Sequence, residues 1–126
     1  MIISTDKIAS ECKLEENAVI WPFKKGDNKG NPAKVELHLG AKCYCSSSPN
    51  KVVELKEGSK TSIAPNSIFL FQTLEKMKLP KNLSGRMGLK MSLVAKGLLM
   101  SNQTQVDPGY NNYLFGMIYN LSDQDI

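Results

Sequence analysis

The sequence contains one histidine, three cysteines and no long apolar run in its 126 residues. One histidine leaves little room for a Ser-His-Asp triad. The Walker loop, the dinucleotide-binding G-x-G-x-x-G pattern and the G-x-S-x-G nucleophile motif are all absent. No apolar stretch approaches the roughly 18 residues of a membrane span, and none is typical of a secretory signal. We therefore predict a soluble, cytoplasmic protein with no membrane partner.

The cysteines do not form a recognisable disulfide or zinc pattern. Their odd number, with no extracellular cue, favours reduced thiols in the cytosol. His38, Cys43 and Cys45 suggest zinc, but the two cysteines are two residues apart in a predicted strand and no second cysteine pair follows. The zinc deaminase signature, H-x-E with a later P-C-x-x-C, is missing as well. We predict structural cysteines and no zinc.

The charge balance is mildly basic. Sixteen Lys and Arg residues against twelve Asp and Glu give a net charge of +4. This excess suits a polyanionic small ligand such as a nucleoside triphosphate as well as it suits DNA. The basic residues are scattered, with small clusters at Lys24-Lys25 and within residues 76–81, and few aromatic residues lie among them. A β-barrel that binds nucleic acid therefore ranks behind the other hypotheses.

Short β-rich segments separated by turn signals dominate the chain after Lys34. Val35, Leu37 and Leu39 alternate with polar residues, which predicts a strand with one buried face. The predicted strands that follow are AKCYC, KVVEL, a central strand at residues 68–73 and YNNYLFGMIYN. Three glycines within residues 85–97 disfavour a long helix and predict a short turn-like segment near residues 93–96 between two strands.

The first third of the chain has a different pattern. It predicts a short N-terminal helix ending near Lys13, a short strand in AVIWPF and a loop over residues 24–32. By length the chain is a single domain, 1–126. Strands at roughly ten-residue spacing predict an all-β sandwich or barrel.

Two segments hold the side chains that are best suited to chemistry. GRMGLKMSLVAKGL places cations and a hydroxyl around a bend where phosphate oxygens can bind: Arg86, Lys90, Ser92 and Lys96. QVDPGYNNYLFGMIYN holds Asp107 and Tyr110 on a tight turn, where an acid can orient water and a ring can stack on a base or sugar. Taken alone, Asp107-Pro108-Gly109 is more often only a turn.

These segments resemble, in order, the motifs of the dCTP deaminase and dUTPase superfamily, most closely its dCTP deaminase branch. MIIST and a short helix resemble the N-terminus of that branch, and AKVELHLG resembles its S-x-D-L-x-L-G strand. GRMGLKMSLVAKGL is similar to G-R-S-S-L-A-R-x-G-L, and VDPGYNNYLFGMIYN to I-D-P-G-[WFY]-x-G-x-[LI]-x-[LV]-E-x-x-N. The resemblance implies a distorted, jelly-roll-like β-barrel, a homotrimer, and pyrimidine deoxynucleotide sites between subunits.

The resemblance also implies roles for individual residues. Asp107 would orient the attacking water and Tyr110 would pack on the deoxyribose. The nucleotide would be bound by Arg86, Lys90, Ser92 and Lys96, and Mg²⁺ would be carried on the phosphates of a deoxynucleoside triphosphate. Glu36 stands where the first strand motif has Asp, a change that keeps the charge.

Several positions depart from the family pattern. Lys90 stands where a phosphate-binding Arg is expected and lacks its bidentate fork. Met91 and Ala95 stand at a Ser and an Arg position, and Asn112 replaces a glycine. Met117 stands where dCTP deaminases carry the glutamate that is the general base for attack on the cytosine ring. A thioether takes no proton at neutral pH, so deamination by that route is not expected.

Two functions stay open at this point. The first is a dCTP- or dUTP-binding domain of nucleotide metabolism, for which dUTP diphosphatase-type hydrolysis through Asp107 is more plausible than deamination. The second is a non-catalytic, trimeric structural or regulatory module that kept only the fold. The alternating methionines 91, 100 and 117 are expected in the core or at a trimer axis. The family continues past the position of Ile126, which implies either a fragment or a minimal version with open sites.

Overall fold

The fold is built almost entirely from strands. A computed structural model of the chain describes residues 20–21, 36–101 and 105–126. The strands are β1 (Ile20–Trp21), β2 (Leu39–Cys45), β3 (Val52–Glu54), β4 (Ile68–Lys78), β5 (Gly85–Arg86), β6 (Leu98–Met100), β7 (Gln105–Val106) and β8 (Asn111–Asn120). One short helix, α1 (Met91–Val94), lies between β5 and β6. The all-β prediction is confirmed, whereas the predicted N-terminal helix and the 24–32 loop lie outside the described residues.

The long strands belong to one sheet. Its order is β3-β2-β4-β8-β6, with β1 paired to β4, while β5 and β7 form a separate two-stranded pair. The β1–β4, β2–β3 and β6–β8 pairs are antiparallel. The central strand predicted at residues 68–73 is present and continues to Lys78.

The chain divides into two compact units. Within the described residues, the first comprises 20–21, 36–39, 73–85 and 106–114, and the second comprises 40–72, 86–101, 105 and 115–126. β4 and β8 each contribute residues to both units. A single domain over 1–126 stays a prediction.

The core of the second unit follows from the two-residue period of its strands. Its buried side chains are Cys43, Cys45, Ile63, Phe69, Leu98 and Ile118. Side chains alternate across a strand, so one face of β2, β4, β6 and β8 supplies this cluster, and Ile63 joins it from the segment between β3 and β4. Both described cysteines lie in the core as free thiols. The described residues contain no helix that could span a membrane.

A buried carboxylate connects the start of β2 to β4 in the first unit. Glu75 is only 2% exposed and accepts the backbone N–H of His38 at 3.0 Å, and the ring Nδ1 of His38 lies 2.5 Å from Glu75 Oε1. The Leu74 N–H donates to the His38 carbonyl at 2.8 Å. This pairing satisfies the polar groups of a carboxylate that burial would otherwise destabilise.

One burial prediction was wrong, and for Met91 the core alternative is excluded while the trimer-axis alternative stays a prediction. Leu39 was expected on the buried face, yet it is 44% exposed, and the buried residues of β2 are Gly40, Cys43 and Cys45. The two-residue alternation is interrupted within β2, where the consecutive residues Ala41 and Lys42 are both exposed. Met91 was expected in the core or at a trimer axis, but it lies on α1 and is 77% exposed, so it is not in the core of this chain.

Because of the buried Cys43 thiol, the free energy of unfolding should fall as the pH becomes alkaline. Burial raises the pKa of the Cys43 thiol above its ordinary value of 9.0. The unfolded chain therefore loses this proton at lower pH than the folded chain. As pH rises from about 9 toward the pKa of the folded state, deprotonation favours the unfolded chain and the free energy of unfolding decreases. We expect Cys43→Val to flatten the decline in unfolding free energy between pH 8 and pH 10, as measured by urea denaturation. An unchanged slope in the variant would refute this.

Candidate functional site

The Asp107-Pro108-Gly109-Tyr110 segment is a type II turn in the first unit. The Tyr110 N–H donates to the Asp107 carbonyl at 3.1 Å, and Gly109 has a φ of +79°. Pro at the second position and a left-handed Gly at the third are what this turn requires. The local prediction of a turn is confirmed.

The turn is joined to the segment that follows β4. The Leu79 N–H donates to the Tyr110 carbonyl at 2.8 Å, and the Gly109 N–H donates to the Pro80 carbonyl at 3.3 Å. A Cβ on Gly109 would lie 3.6 Å from Lys81 Cγ, so the Lys81 stem packs beside the turn. These contacts hold Asp107 and Tyr110 at one corner of the first unit.

Asp107 and Tyr110 differ in their surroundings. Asp107 is exposed, whereas Tyr110 is half-buried and its hydroxyl donates to the Tyr113 carbonyl at 2.5 Å. That hydrogen bond restricts the orientation of the ring at the start of β8. A fixed ring beside an exposed carboxylate suits stacking and water orientation, although both roles stay predictions.

The four predicted phosphate ligands lie in the second unit, on exposed positions around α1. Arg86 ends β5, Lys90 precedes the helix, Ser92 lies within it and Lys96 lies in the turn that follows. The helix is a single turn, with the Ala95 N–H donating to the Met91 carbonyl at 2.8 Å, and Gly97 ends it with a φ of +102°. The short turn-like segment predicted near residues 93–96 is therefore α1 and the turn after it.

Met117 lines a groove on the second unit. The groove has a volume of about 460 Å³ and its lining residues are Lys42, Cys43, Tyr44, Leu70, Phe71, Gln72, Ser101, Phe115, Gly116 and Met117. They come from β2, β4 and β8, and Ser101 follows β6, where its N–H donates to the Met117 carbonyl at 2.9 Å. The groove thus lies on strands that the sheet topology brings side by side.

The groove combines an apolar wall with a few polar groups. Leu70, Phe115 and Met117 are apolar, whereas Tyr44, Gln72 and Ser101 can each donate and accept hydrogen bonds. Lys42 is the one charged residue among the described lining residues. Neither a carboxylate nor an imidazole belongs to that described set.

The sequence prediction did not include Lys42, Tyr44, Gln72 or Phe115. The alternation of β2 puts Lys42 and Tyr44 on the face opposite Cys43 and Cys45, which was a usable signal. Their proximity to Met117 depends on the order β2-β4-β8, because strands far apart in sequence are neighbours only in the folded sheet.

No three His, Cys, Asp or Glu side chains converge as a metal site within the described parts of the chain. Glu36, which resembles the family aspartate of the first strand motif, is half-buried just before β2. The predictions for zinc and Mg²⁺ stay predictions.

A family model described as dCTP deaminase-like matches residues 2–126. The dCTP deaminases of Thermococcus gammatolerans and Pyrococcus abyssi are both 32% identical to this chain over 114 residues, or 90% of it, and the match covers 69% and 70% of those proteins. A dUMP-forming dCTP deaminase of Corynebacterium kroppenstedtii is 40% identical over 76 residues, which is 60% of this chain and 41% of that protein.

A solved structure supports the fold. The crystal structure of 2'-deoxycytidine 5'-triphosphate deaminase from Agrobacterium tumefaciens matches with a TM-score of 0.72 and 17% identity, over 94% of this chain. The chain spans 40% of the length of that structure. This chain, with its mostly antiparallel strands, has the same all-β fold. Because the family model matches nearly the whole sequence, the chain belongs to the dCTP deaminase-like family of nucleotide-metabolism domains.

Proposed function

We propose that this chain binds a pyrimidine deoxynucleoside triphosphate, with the base in the groove lined by Met117. The observation that carries the proposal is the position of Met117 among Lys42, Gln72 and Phe115. By the resemblance, Met117 stands where the family has its general base, so the Met117 side chain would lie next to the pyrimidine ring. An apolar wall with a few polar groups suits a planar base.

The phosphates would be bound by the exposed residues around α1. Arg86, Lys90 and Lys96 supply positive charge, and Ser92 supplies a hydroxyl. Tyr110 would pack on the deoxyribose and Asp107 would orient water. Because a homotrimer brings residues of neighbouring subunits to one site, we propose that assembly as well. Mg²⁺ would bind through the phosphates and need few protein ligands.

Hydrolysis is the activity that this residue set favours over deamination. Met117 cannot accept a proton, and the described residues of the groove include no carboxylate or imidazole to replace it. In hydrolysis, water oriented by Asp107 would attack the α-phosphorus of dUTP, and diphosphate would leave to give dUMP. The Mg²⁺ ion would neutralise the charge of the phosphates.

A non-catalytic trimeric module is the second candidate. Six apolar side chains of the second unit are 41% to 64% exposed: Val52, Leu70, Val94, Leu99, Phe115 and Leu121. Contiguous exposed apolar surface marks interaction sites, and Leu70 and Phe115 of this set line one groove. In this alternative the fold serves subunit contact alone, without a nucleotide.

Equilibrium binding separates the two candidates. We expect dUTP or dCTP, with Mg²⁺, to bind at submillimolar concentration, and we expect Lys90→Gln to weaken binding by about tenfold because it removes a charge-assisted contact. Lys60→Gln, at an exposed lysine outside both segments, is the matched control and should bind as the parent chain does. A trimer by analytical ultracentrifugation that binds no nucleotide at millimolar concentration would exclude the first candidate and support the second.

A further inference from the structure

We infer that the groove prefers pyrimidine nucleotides with an oxo group at C4, such as dUTP and dTTP, over dCTP with its amino group. The inference rests on the proposed function and concerns the selectivity of the same groove. Its basis is the set of hydrogen-bonding and charged groups around position 117.

Lys42 supplies the charge of the groove. It lies on β2 next to Cys43, and Cys43 is buried in the core, so the alternation of the strand points Lys42 away from the core. Glu54 lies directly opposite Lys42 on β3, but the Lys42 ammonium forms no ion pair within 4.0 Å with any residue that the structure describes. An ammonium group has three donors and no acceptor, so it attracts a carbonyl oxygen and repels the N–H groups of an amine.

Met117 lacks the strong hydrogen-bond acceptor that would favour cytosine. The resemblance puts the residue at 117 beside the reacting carbon of the ring, which is C4, the carbon that carries the amino group. A carboxylate there would accept hydrogen bonds from that amino group, whereas a thioether is only a weak acceptor. With dCTP bound, the amino group would face a thioether and a cation instead of an anion.

The remaining polar residues do not discriminate between the two bases. Tyr44, Gln72 and Ser101 can each donate or accept, and the Gln72 amide can rotate to match either edge. Leu70 and Phe115 add apolar contact that also accommodates the 5-methyl group of thymine. The preference therefore depends on the charge at position 42 and on the missing acceptor at position 117.

The test compares the dissociation constants of dUTP, dTTP and dCTP by isothermal titration calorimetry. We expect the parent chain to bind dUTP and dTTP about tenfold more tightly than dCTP. Lys42→Met should reduce this ratio toward one. Met117→Glu should shift it toward dCTP, because the new carboxylate can accept from the amino group. Lys56→Met, an exposed lysine outside the groove, should leave the ratio unchanged.

The possible failures are distinguishable. If dCTP binds as tightly as dUTP, or if Lys42→Met leaves the ratio unchanged, the selectivity inference is wrong while nucleotide binding stands. If none of the three nucleotides binds at millimolar concentration, the proposed function itself is overturned. Circular dichroism of each variant confirms that a change in ratio is not a loss of folding.

Discussion

Asn120→Ala is expected to lower the free energy of unfolding by about 2 to 4 kcal/mol. Asn120 ends β8 and is 0% exposed. Its Nδ2 group donates to the carbonyls of Ile63 and Gln124, both at 2.7 Å. Its Oδ1 atom accepts the Ser122 N–H at 2.9 Å and the Ser122 hydroxyl at 2.7 Å. One side chain therefore satisfies polar groups from three other residues.

The expected loss is large because alanine would leave buried polar groups without hydrogen-bond partners. The Ile63 carbonyl loses a partner in the interior, where an unsatisfied polar group costs about 1 to 3 kcal/mol. The polar groups of Ser122 and Gln124 are closer to solvent, so hydrogen bonds to water replace part of those lost with the Asn120 side chain. The segment after β8 would also lose the contacts that hold it beside Ile63, where Ile126 and Ile63 exchange two backbone hydrogen bonds of 2.8 and 3.1 Å.

Urea denaturation followed by circular dichroism measures the effect. Ser122→Ala is the control, since it removes one hydroxyl while the Asn120 side chain stays, and we expect it to cost no more than about 1.5 kcal/mol. Equal losses in Asn120→Ala and Ser122→Ala would contradict the central role of the amide. A lower m-value in Asn120→Ala would show that the segment after β8 is already detached in the native state.

Gly116→Ala is the second variant with a large expected effect, a loss of about 1 to 3 kcal/mol from overpacking. A Cβ built on Gly116 would lie 2.5 Å from Phe71 Cζ, 2.7 Å from Phe71 Cε1 and 3.0 Å from Met100 Cε. The Phe71 ring packs against the core of the second unit, so a shift of the ring that makes room for the methyl group loses part of those contacts. Even a methyl group at position 116 therefore forces a rearrangement.

Gly88→Ala is the matched control for Gly116→Ala. A Cβ on Gly88 meets no atom within 4 Å, so the same chemical change should alter the unfolding free energy by no more than about 0.5 kcal/mol. The double variant Phe71→Leu/Gly116→Ala should be more stable than the sum of its two single variants predicts, because the smaller side chain frees the space. Strict additivity of the two changes would argue against a clash between positions 71 and 116.

Local patterns predicted the elements that depend on neighbouring residues. The turn at Asp107 to Tyr110 was predictable because Pro and Gly fix its dihedral angles within four residues. Strand β8 was predictable because its side chains alternate between a buried and an exposed face, whereas in β2 the alternation holds only from Cys43 to Cys45. The pattern did not reveal the His38 and Glu75 contact, whose partners are far apart in sequence and meet only when β2 and β4 pair.

Consecutive residues were enough to predict the family, the long strands and the chemical types at Asp107, Tyr110 and Met117, because motifs and local dihedral preferences depend on near neighbours in the chain. The surroundings of Met117 could be known only from the folded sheet. Lys42, Gln72 and Met117 come from three strands, and the order β2-β4-β8 makes those strands neighbours. The space beside Gly116 was likewise set by Phe71 on β4, since packing depends on which strands pair and not on sequence distance.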